Sequence, residues 1–290
     1  MKIAIYIAFN NSSSVICCKE VIDIVSEEND IIIDSKIKND LSKELQHKFS
    51  FFDSSEPIDN NIDYVFAVGG DGTILRSITY VKDSGIPILG INAGRLGFLT
   101  NILPENMHQD LKQVLAGEYH EDSRTVMSAK HLRGDELIHS CLAVNDVVMH
   151  ARYVVRMIEL ETRINDEYLN TLRGDGLIVA TPTGSTAYAL SGGGPIVHPS
   201  VATMLLVPIC PHTLSNRPIA IDENSLIEII YSTHNKLNSI ASIDGQHEAE
   251  VLPGDRIVIQ RSSKPLTLIQ PNNYTYFKVL RQKLNWSQQP

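Results

Sequence analysis

The segment Gly69–Thr73 combines three glycines with a single carboxylate, Asp71. It follows the apolar run Tyr64–Val68 and precedes a helical pattern that starts at about Ile74. Glycines let a backbone approach a ligand closely, and the free N–H groups of a helix N-terminus favour phosphate. A carboxylate there can accept a proton from a hydroxyl or hold a magnesium ion that accompanies a nucleotide. The alternative is a tight strand-to-helix turn in which Asp71 only caps the helix.

Two further segments place polar or glycine-rich residues directly after apolar runs. The strand that begins before Gly90 runs into the glycine-rich turn Gly90–Leu99, in which Phe98 either stacks on a ligand ring or packs in the core. Asn145 and Asp146 follow the apolar run Cys141–Val144. Carboxyl ends of parallel strands are where ligands bind, so the first turn supports a site near Gly69–Thr73. Asn145 and Asp146 either bind hydroxyls or an adenine edge, or cap a strand.

The segment Arg173–Pro195 is the densest in small and hydroxyl-bearing residues. A buried strand, Leu177–Ala180, leads into a Thr/Ser/Gly turn, a short helix and a glycine triplet. The hydroxyls of Thr186, Tyr188 and Ser191, together with local N–H groups, offer a polar surface to a nucleotide. Packing alone hardly explains so many small residues, so we expect this segment to bind a ligand.

Several common sites are missing from the sequence. There is no G-x-G-x-x-G after the first strand and no G-x-x-x-x-G-K-[ST], which argues against a Rossmann dehydrogenase and a P-loop NTPase. Cys17, Cys18, Cys141 and Cys210 form no zinc-ligand pattern, and reduced thiols are expected. No serine and histidine have the spacing of a hydrolase triad.

The elements that must position these residues divide into two groups. Apolar runs at Ile3–Phe9, Ile31–Ile33, Tyr64–Val68 and Ile86–Ile91 alternate with helical segments such as the one around Val21–Val25. This alternation predicts a parallel sheet covered by helices.

After a predicted helix from Pro104 to about Leu115, short strands dominate from Tyr119 to Gln270. Met157–Ile164 alternates between apolar and polar residues, and Asn165-Asp166 follows as a hairpin turn. This half predicts a β-sandwich-like domain. The final segment, 274–286, is predicted to be a helix that returns to the first domain.

Composition excludes other classes of protein. The chain has 290 residues, 43% hydrophobic and 20% charged, as in an ordinary globular protein of about two domains. Its net charge of −9 argues against nucleic-acid partners and polybasic membrane surfaces. No apolar run approaches the ~18 residues of a membrane span, and the short run after Met1 does not fit a signal peptide. A cytoplasmic location is expected.

Gly69–Thr73 is similar to the turn of a kinase superfamily that includes NAD kinases, diacylglycerol and sphingosine kinases, and phosphofructokinases. Further segments resemble bacterial NAD kinases over nearly the whole chain, namely Asn92–Leu99, Asp175–Pro195, Pro208–Pro218 and Asp244-Gly245-Gln246. The resemblance implies a Rossmann-like α/β domain at 1–103, completed by 272–290. It also implies a β-rich NAD-binding domain at 104–271.

The resemblance also implies the reaction, which is transfer of the γ-phosphoryl group of ATP to the 2′-hydroxyl of the adenosine ribose of NAD. Asp71 would accept the hydroxyl proton. NAD contacts would come from Asp71, Gly72, Arg76, Asn145, Asp146, Arg173, Asp175, Thr186, Ala187, Tyr188, Ala189, Leu190, Ser191 and Gln246. Mg²⁺ would arrive with the donor rather than on dedicated ligands of the chain. Homo-oligomers, tetramers or dimers, are typical of the family.

Two positions depart from the family pattern, and two rival functions stay open. Asp146 stands where the family usually has Glu, and Gly192 stands where it usually has Ala. One rival is a lipid kinase of the same superfamily, which would need an apolar groove. The other is a non-catalytic NAD(H)-binding sensor, which would be expected to lack the carboxylate of Asp71.

Overall fold

The computed structural model describes residues 1–56, 58–94, 96–152 and 157–286. Arg95 of the glycine-rich turn lies outside the described residues, as do the last four residues of the predicted segment 272–290. The chain divides into two compact units, Met1–Ser123 with Leu266–Pro290, and Arg124–Pro265.

The first unit is larger than the predicted first domain, which ended at residue 103 and resumed at 272. The extra residues contain the helix Met107–Leu115, whose Leu111 and Val114 pack into the core of the first unit. They also contain Leu266–Pro271, a strand that pairs in parallel with Ile88–Asn92. Shared core and sheet pairing therefore extend the first unit beyond the bounds that the family resemblance implies.

Nineteen strands and six α-helices follow one another along the described residues. The strands before the second unit are β1 (Lys2–Ile7), β2 (Asp30–Asp34), β3 (Ser50–Phe52), β4 (Tyr64–Gly69), β5 (Ile88–Asn92) and β6 (Tyr119–Arg124). Those of the second unit are β7 (Met127–Arg133), β8 (Glu136–Ala143), β9 (Asp146–Ala151), β10 (Ile158–Ile164), β11 (Glu167–Gly174), β12 (Gly176–Ala180), β13 (Thr203–Ile209), β14 (Ile219–Asp222), β15 (Ile227–Tyr231), β16 (Ser239–Ile243), β17 (His247–Val251) and β18 (Arg256–Arg261). The last strand is β19 (Leu266–Pro271). The helices are α1 (Ser12–Val25), α2 (Lys43–Lys48), α3 (Asp71–Val81), α4 (Met107–Leu115), α5 (Tyr188–Ser191) and α6 (Tyr276–Lys283).

The first unit is built on a seven-stranded sheet in the order β3-β2-β1-β4-β5-β19-β6. The five strands from β3 to β5 in this order pair in parallel, as the alternating pattern predicts. Their apolar side chains are buried because helices cover such a sheet on its faces, and α1 and α4 contribute to the same hydrophobic core. Parallel pairing brings the carboxyl ends of β4 and β5 side by side, since Gly69 lies opposite Asn92.

The second unit consists of two six-stranded antiparallel sheets, in the orders β11-β10-β15-β18-β7-β8 and β14-β13-β12-β9-β16-β17. Alternating apolar residues of both sheets form one core, with Leu160 and Ile229 from the first and Val147 and Val179 from the second. The predicted turn at Asn165-Asp166 joins β10 to β11, and both residues have positive φ, as a tight two-residue hairpin requires.

These two units confirm the predicted fold class, an N-terminal α/β domain and a C-terminal antiparallel β domain. Among the helices of the described residues, none has the length and apolar character needed to cross a membrane.

Replacement of Gly90 in β5 tests how tightly the first unit is packed beside its glycine-rich turn. A Cβ atom at residue 90 would lie 2.5 Å from the Leu99 carbonyl oxygen and 3.0 Å from the Thr100 Cα. We expect Gly90→Ala to lower the free energy of unfolding by about 1–3 kcal/mol, because backbone atoms cannot give way cheaply. Gly72→Ala is the matched control, since the space around its Cβ is open. Urea unfolding of both variants measures the effect, and equal stability of Gly90→Ala and wild type would contradict this packing.

Candidate active site

Asp71 opens α3 at the carboxyl edge of the sheet, and its carboxylate is held by the segment 98–100. Oδ2 accepts a hydrogen bond from the Phe98 amide at 2.7 Å. Oδ1 accepts from the amides of Leu99 (2.9 Å) and Thr100 (3.2 Å) and from the Thr100 hydroxyl (3.3 Å). A carboxylate offers about four acceptor positions, two on each oxygen. Oδ1 is therefore fully engaged, whereas Oδ2 retains one lone pair for a ligand.

Side chains and glycines nearby make this close approach possible. A Cβ at residue 97 would lie 1.9 Å from Asp71 Oδ1, so only glycine fits there. The buried Asn92, which ends β5, donates from Nδ2 to Thr100 Oγ1 at 2.9 Å and accepts from the Gly94 amide at 2.7 Å. The turn after β5 is thus shaped to present three successive amides to Asp71.

The rest of the Gly69–Thr73 turn leaves the start of α3 open. Gly69 must lack a side chain, because a Cβ there would lie 2.1 Å from Thr73 Oγ1. The space around Gly70 and Gly72 is empty, and Gly72 is exposed. Arg76, one turn further on, places its guanidinium 4.6 Å from the centre of the Phe9 ring. Exposed N–H groups and this cation can face phosphate groups.

In the second unit, Asn145 and Asp146 lie at the wall of a cavity of about 270 Å³. The cavity is lined by Asn145, Asp146, Val148, His150, Ala187, Tyr188, Ser242, Asp244 and Gly245. The side-chain amide of Asn145 makes no hydrogen bond within the described part of the chain, so its donors and acceptor are available to a ligand. A cavity of this size, with the amide of Asn145 and the carboxylate of Asp146 in its wall, suits a sugar or part of a base.

Two carboxylates lie together at this cavity, the buried Asp146 and the half-buried Asp244. Asp244 accepts hydrogen bonds from the amides of Val144 (2.9 Å), Asn145 (2.8 Å) and Asp146 (3.0 Å), so it fixes the turn that carries the predicted site residues. Burial and the charge of Asp244 raise the pKa of Asp146 to about 7, although a hydrogen bond from the Tyr188 amide opposes the rise. Burial also raises the pKa of Asp244.

The segment Thr186–Ser191 contributes to the cavity only in part. Ala187 and Tyr188 line it, and the Tyr188 side chain is 47% exposed. Ala189 is fully buried in a small apolar cluster with Ile178, so its methyl group faces the protein interior. The Thr186 hydroxyl donates to the Thr183 carbonyl at 3.2 Å. Thr186, Ala189, Leu190 and Ser191 do not line this cavity.

Two glycines of this segment, Gly176 and Gly184, are needed for packing. A Cβ at residue 176 would lie 2.2 Å from the Met149 carbonyl oxygen. At residue 184 it would lie 2.0 Å from the carbonyl oxygen of Asn145. Packing alone therefore accounts for these two glycines, because closely spaced backbones require glycine as strongly as ligands do.

Arg173, Asp175 and Gln246 lie away from the lining of the 270 Å³ cavity. Arg173 borders a separate cavity of about 500 Å³, where its Nε lies 3.1 Å from Glu159 Oε2. Asp175 is exposed between β11 and β12, and Gln246 is half-buried in the turn after β16.

Sequence reasoning missed the residues that hold the two candidate sites in shape. Asp244 was noticed only as part of a resembling motif, and the amides of 98–100 were not noticed at all. An apolar strand that ends in Asp-Gly was the available signal for Asp244. Backbone donors have no side-chain signature, so no signal pointed to 98–100.

Both units match domains of known proteins. Residues 9–119 match the model of the ATP-NAD kinase N-terminal domain, and residues 144–271 match that of the ATP-NAD kinase C-terminal domain. The chain is 47% identical over 224 residues to the NAD kinase of Nitrosococcus oceani, covering 77% of this chain and 76% of that protein. It is 46% identical over 225 residues to the NAD kinase of Teredinibacter turnerae, covering 78% and 77%. The chain belongs to the NAD kinase family.

Solved structures of related NAD kinases have the same architecture. An NAD kinase from Archaeoglobus fulgidus in complex with ATP matches with a TM-score of 0.75 at 28% identity, covering 98% of this chain and 99% of that one. Yeast NADH kinase complexed with NADH matches in fold with a TM-score of 0.87 at 24% identity, covering 100% and 89%.

Within the NAD kinase family, the aspartate at position 146 gives this chain a testable pH dependence. Its raised pKa means that ionising Asp146 costs more in the folded than in the unfolded chain. Wild type should therefore lose stability relative to Asp146→Asn as pH rises from about 4 through 7. We expect Asp146→Asn to melt at a higher temperature than wild type at pH 8, with the difference shrinking towards pH 4.

The matched control is Glu248→Gln, which removes one exposed carboxylate from β17. Thermal melts of all three proteins across this pH range decide the matter. A difference between Asp146→Asn and wild type that does not change with pH, or one matched by Glu248→Gln, would contradict the raised pKa.

Proposed function

We propose that this chain is an NAD kinase that transfers the γ-phosphoryl group of ATP to the 2′-hydroxyl of the adenosine ribose of NAD, giving NADP and ADP. The observation that carries the proposal is Asp71, whose carboxylate is fixed by four hydrogen bonds while Oδ2 keeps one acceptor position. The family membership and the names of the relatives support the same reaction.

Asp71 acts as the proton acceptor in this proposal. The 2′-oxygen forms a bond to the γ-phosphorus, its proton passes to Asp71 Oδ2, and the bond from the γ-phosphorus to the bridging oxygen breaks with its electrons leaving on ADP. Phosphoryl transfer depends mainly on positioning and charge neutralisation, so a pre-oriented carboxylate is worth more than a mobile one. The exposed N–H groups at the start of α3 and the Arg76 guanidinium face donor phosphates.

The 270 Å³ cavity binds part of the adenosine half of NAD in this proposal. Asn145 offers the donor and acceptor pair that matches an adenine edge, and Asp146 accepts from a ribose hydroxyl. The side chains of Ala187 and Tyr188 complete the wall. Arg173 and Asp175 are proposed to contact the nicotinamide end of NAD, as the family resemblance implies.

The divalent cation is proposed to enter with ATP. Across the described residues, no group of three or more His, Cys, Asp or Glu side chains could hold a metal ion. Mg²⁺ commonly retains water and binds through substrate phosphates, so the phosphates of ATP can supply its ligands. When bound, the ion neutralises charge on the phosphate oxygens.

The remaining features of the proposal rest on the resemblance and on composition. They are a cytoplasmic location, a homo-oligomeric state, either dimer or tetramer, and partners limited to small molecules. The net charge of −9 supports the last of these.

Replacement of Asp71 tests the proposal. In a coupled assay, the protein is mixed with ATP, Mg²⁺ and NAD, and a dehydrogenase that accepts only NADP reports the product. We expect wild type to produce NADP and Asp71→Asn to lose about 10²–10⁴-fold in turnover, because a general base is removed. Its affinity for NAD, measured by calorimetry, should stay within about threefold, which is under 1 kcal/mol.

Thr100→Val is the matched control for damage to the loop around Asp71. It removes the hydroxyl that bonds Oδ1 at 3.3 Å but keeps the carboxylate, so turnover should fall by less than about tenfold. Asp71→Asn retaining more than a tenth of wild-type turnover would rule out Asp71 as the base. NADP formation by neither protein, together with phosphorylation of a lipid, would establish the rival lipid kinase, and NAD binding without turnover would favour the sensor.

A further inference from the structure

We propose that Lys283 of the C-terminal helix α6 binds the phosphates of the donor nucleotide and that the Phe98 ring orients its ammonium. This proposal rests on the proposed function. The Lys283 ammonium lies 5.9 Å from the centre of the Phe98 ring. The amide of the same Phe98 donates to Asp71 Oδ2 at 2.7 Å. One residue thus contacts the carboxylate through its backbone and the cation through its side chain.

Helix α6 is anchored so that Lys283 is directed to this position. Val279 and Leu280 are buried in the first unit, and Lys283 follows them by four and three residues. Residues at these spacings lie on the same side of a helix. Lys283 is itself exposed, so its ammonium faces both solvent and the Phe98 ring.

The Phe98 ring, which lies against Lys283, leaves the charge of the ammonium available to a ligand. Within the described part of the chain, no carboxylate lies within 4.0 Å of its ammonium. An aromatic ring orients a cation without cancelling its net charge, whereas a carboxylate would neutralise it. A lysine held in this way is suited to a polyphosphate, whose negative charge must be attracted to a chain with a net charge of −9.

Lysine near the C-terminus of a helix also interacts favourably with the helix dipole, which is the competing explanation. Arg281 lies in the same last turn of α6 and is exposed as well. Arg281→Gln therefore removes the same charge from the same helix end, and it serves as the matched control for dipole and general charge effects.

The test measures MgATP binding by calorimetry without NAD, and NADP formation with both substrates. We expect Lys283→Gln to weaken MgATP binding and to raise the KM for MgATP by about tenfold, because one charge-assisted hydrogen bond is lost. The kcat and the affinity for NAD should stay within about twofold of wild type, which is under half a kcal/mol. Lys283→Arg should restore MgATP binding, and Phe98→Leu should weaken it less than Lys283→Gln does.

Equal effects of Lys283→Gln and Arg281→Gln would overturn the proposal, as would a loss of kcat at unchanged MgATP affinity. If wild type forms no NADP, the proposed function fails. The binding data for MgATP then still decide the role of Lys283, and failure of wild type to bind MgATP would overturn it.

Discussion

The carboxylate of Asp71 accepts hydrogen bonds from three consecutive amides and one hydroxyl of residues 98–100, and the first unit is arranged to make this possible. The parallel pairing of β4 with β5 sets their carboxyl ends side by side. Glycines at residues 90 and 97 let the chain turn back against its own strand and against the carboxylate. An aspartate with free rotation would face several directions, whereas this one presents a single acceptor position on Oδ2. In the proposed function, this restriction orients the proton acceptor before the substrate binds.

A second carboxylate, that of Asp244, orders a turn of the second unit in a related way. Asp244 accepts hydrogen bonds from the amides of residues 144–146, and these bonds hold Asp146 beside it in a buried position. Both pKa values rise because both groups are desolvated, so this arrangement costs folding free energy whenever Asp146 is ionised. In both units a carboxylate caps a turn through backbone amides, but Asp71 remains accessible to a ligand and Asp244 is used to position its neighbours.

The sequence predicted the fold class because it depends on local patterns. The alternation of apolar runs with helical segments identified the parallel sheet. The positive φ angles of Asn165 and Asp166 follow directly from the predicted hairpin turn. The arrangement around Asp71 depends instead on amides 27 to 29 residues further along the chain, and amides carry no residue-specific signal. Gly176 and Gly184 stand out in the sequence, and close backbone packing accounts for both. Of the predicted segment 186–191, only Ala187 and Tyr188 line the cavity. Ala189 is instead buried in a cluster of apolar side chains.

A crystal structure of the complex with NAD measures the central claim most directly, through the distance from the ribose 2′-oxygen to the two oxygens of Asp71. The account predicts that the 2′-oxygen lies within hydrogen-bond distance of Oδ2, about 2.5–3.0 Å, while Oδ1 keeps its three donors from Leu99 and Thr100. A 2′-oxygen bonded to another group, or a carboxylate released from residues 98–100 in the complex, would contradict it.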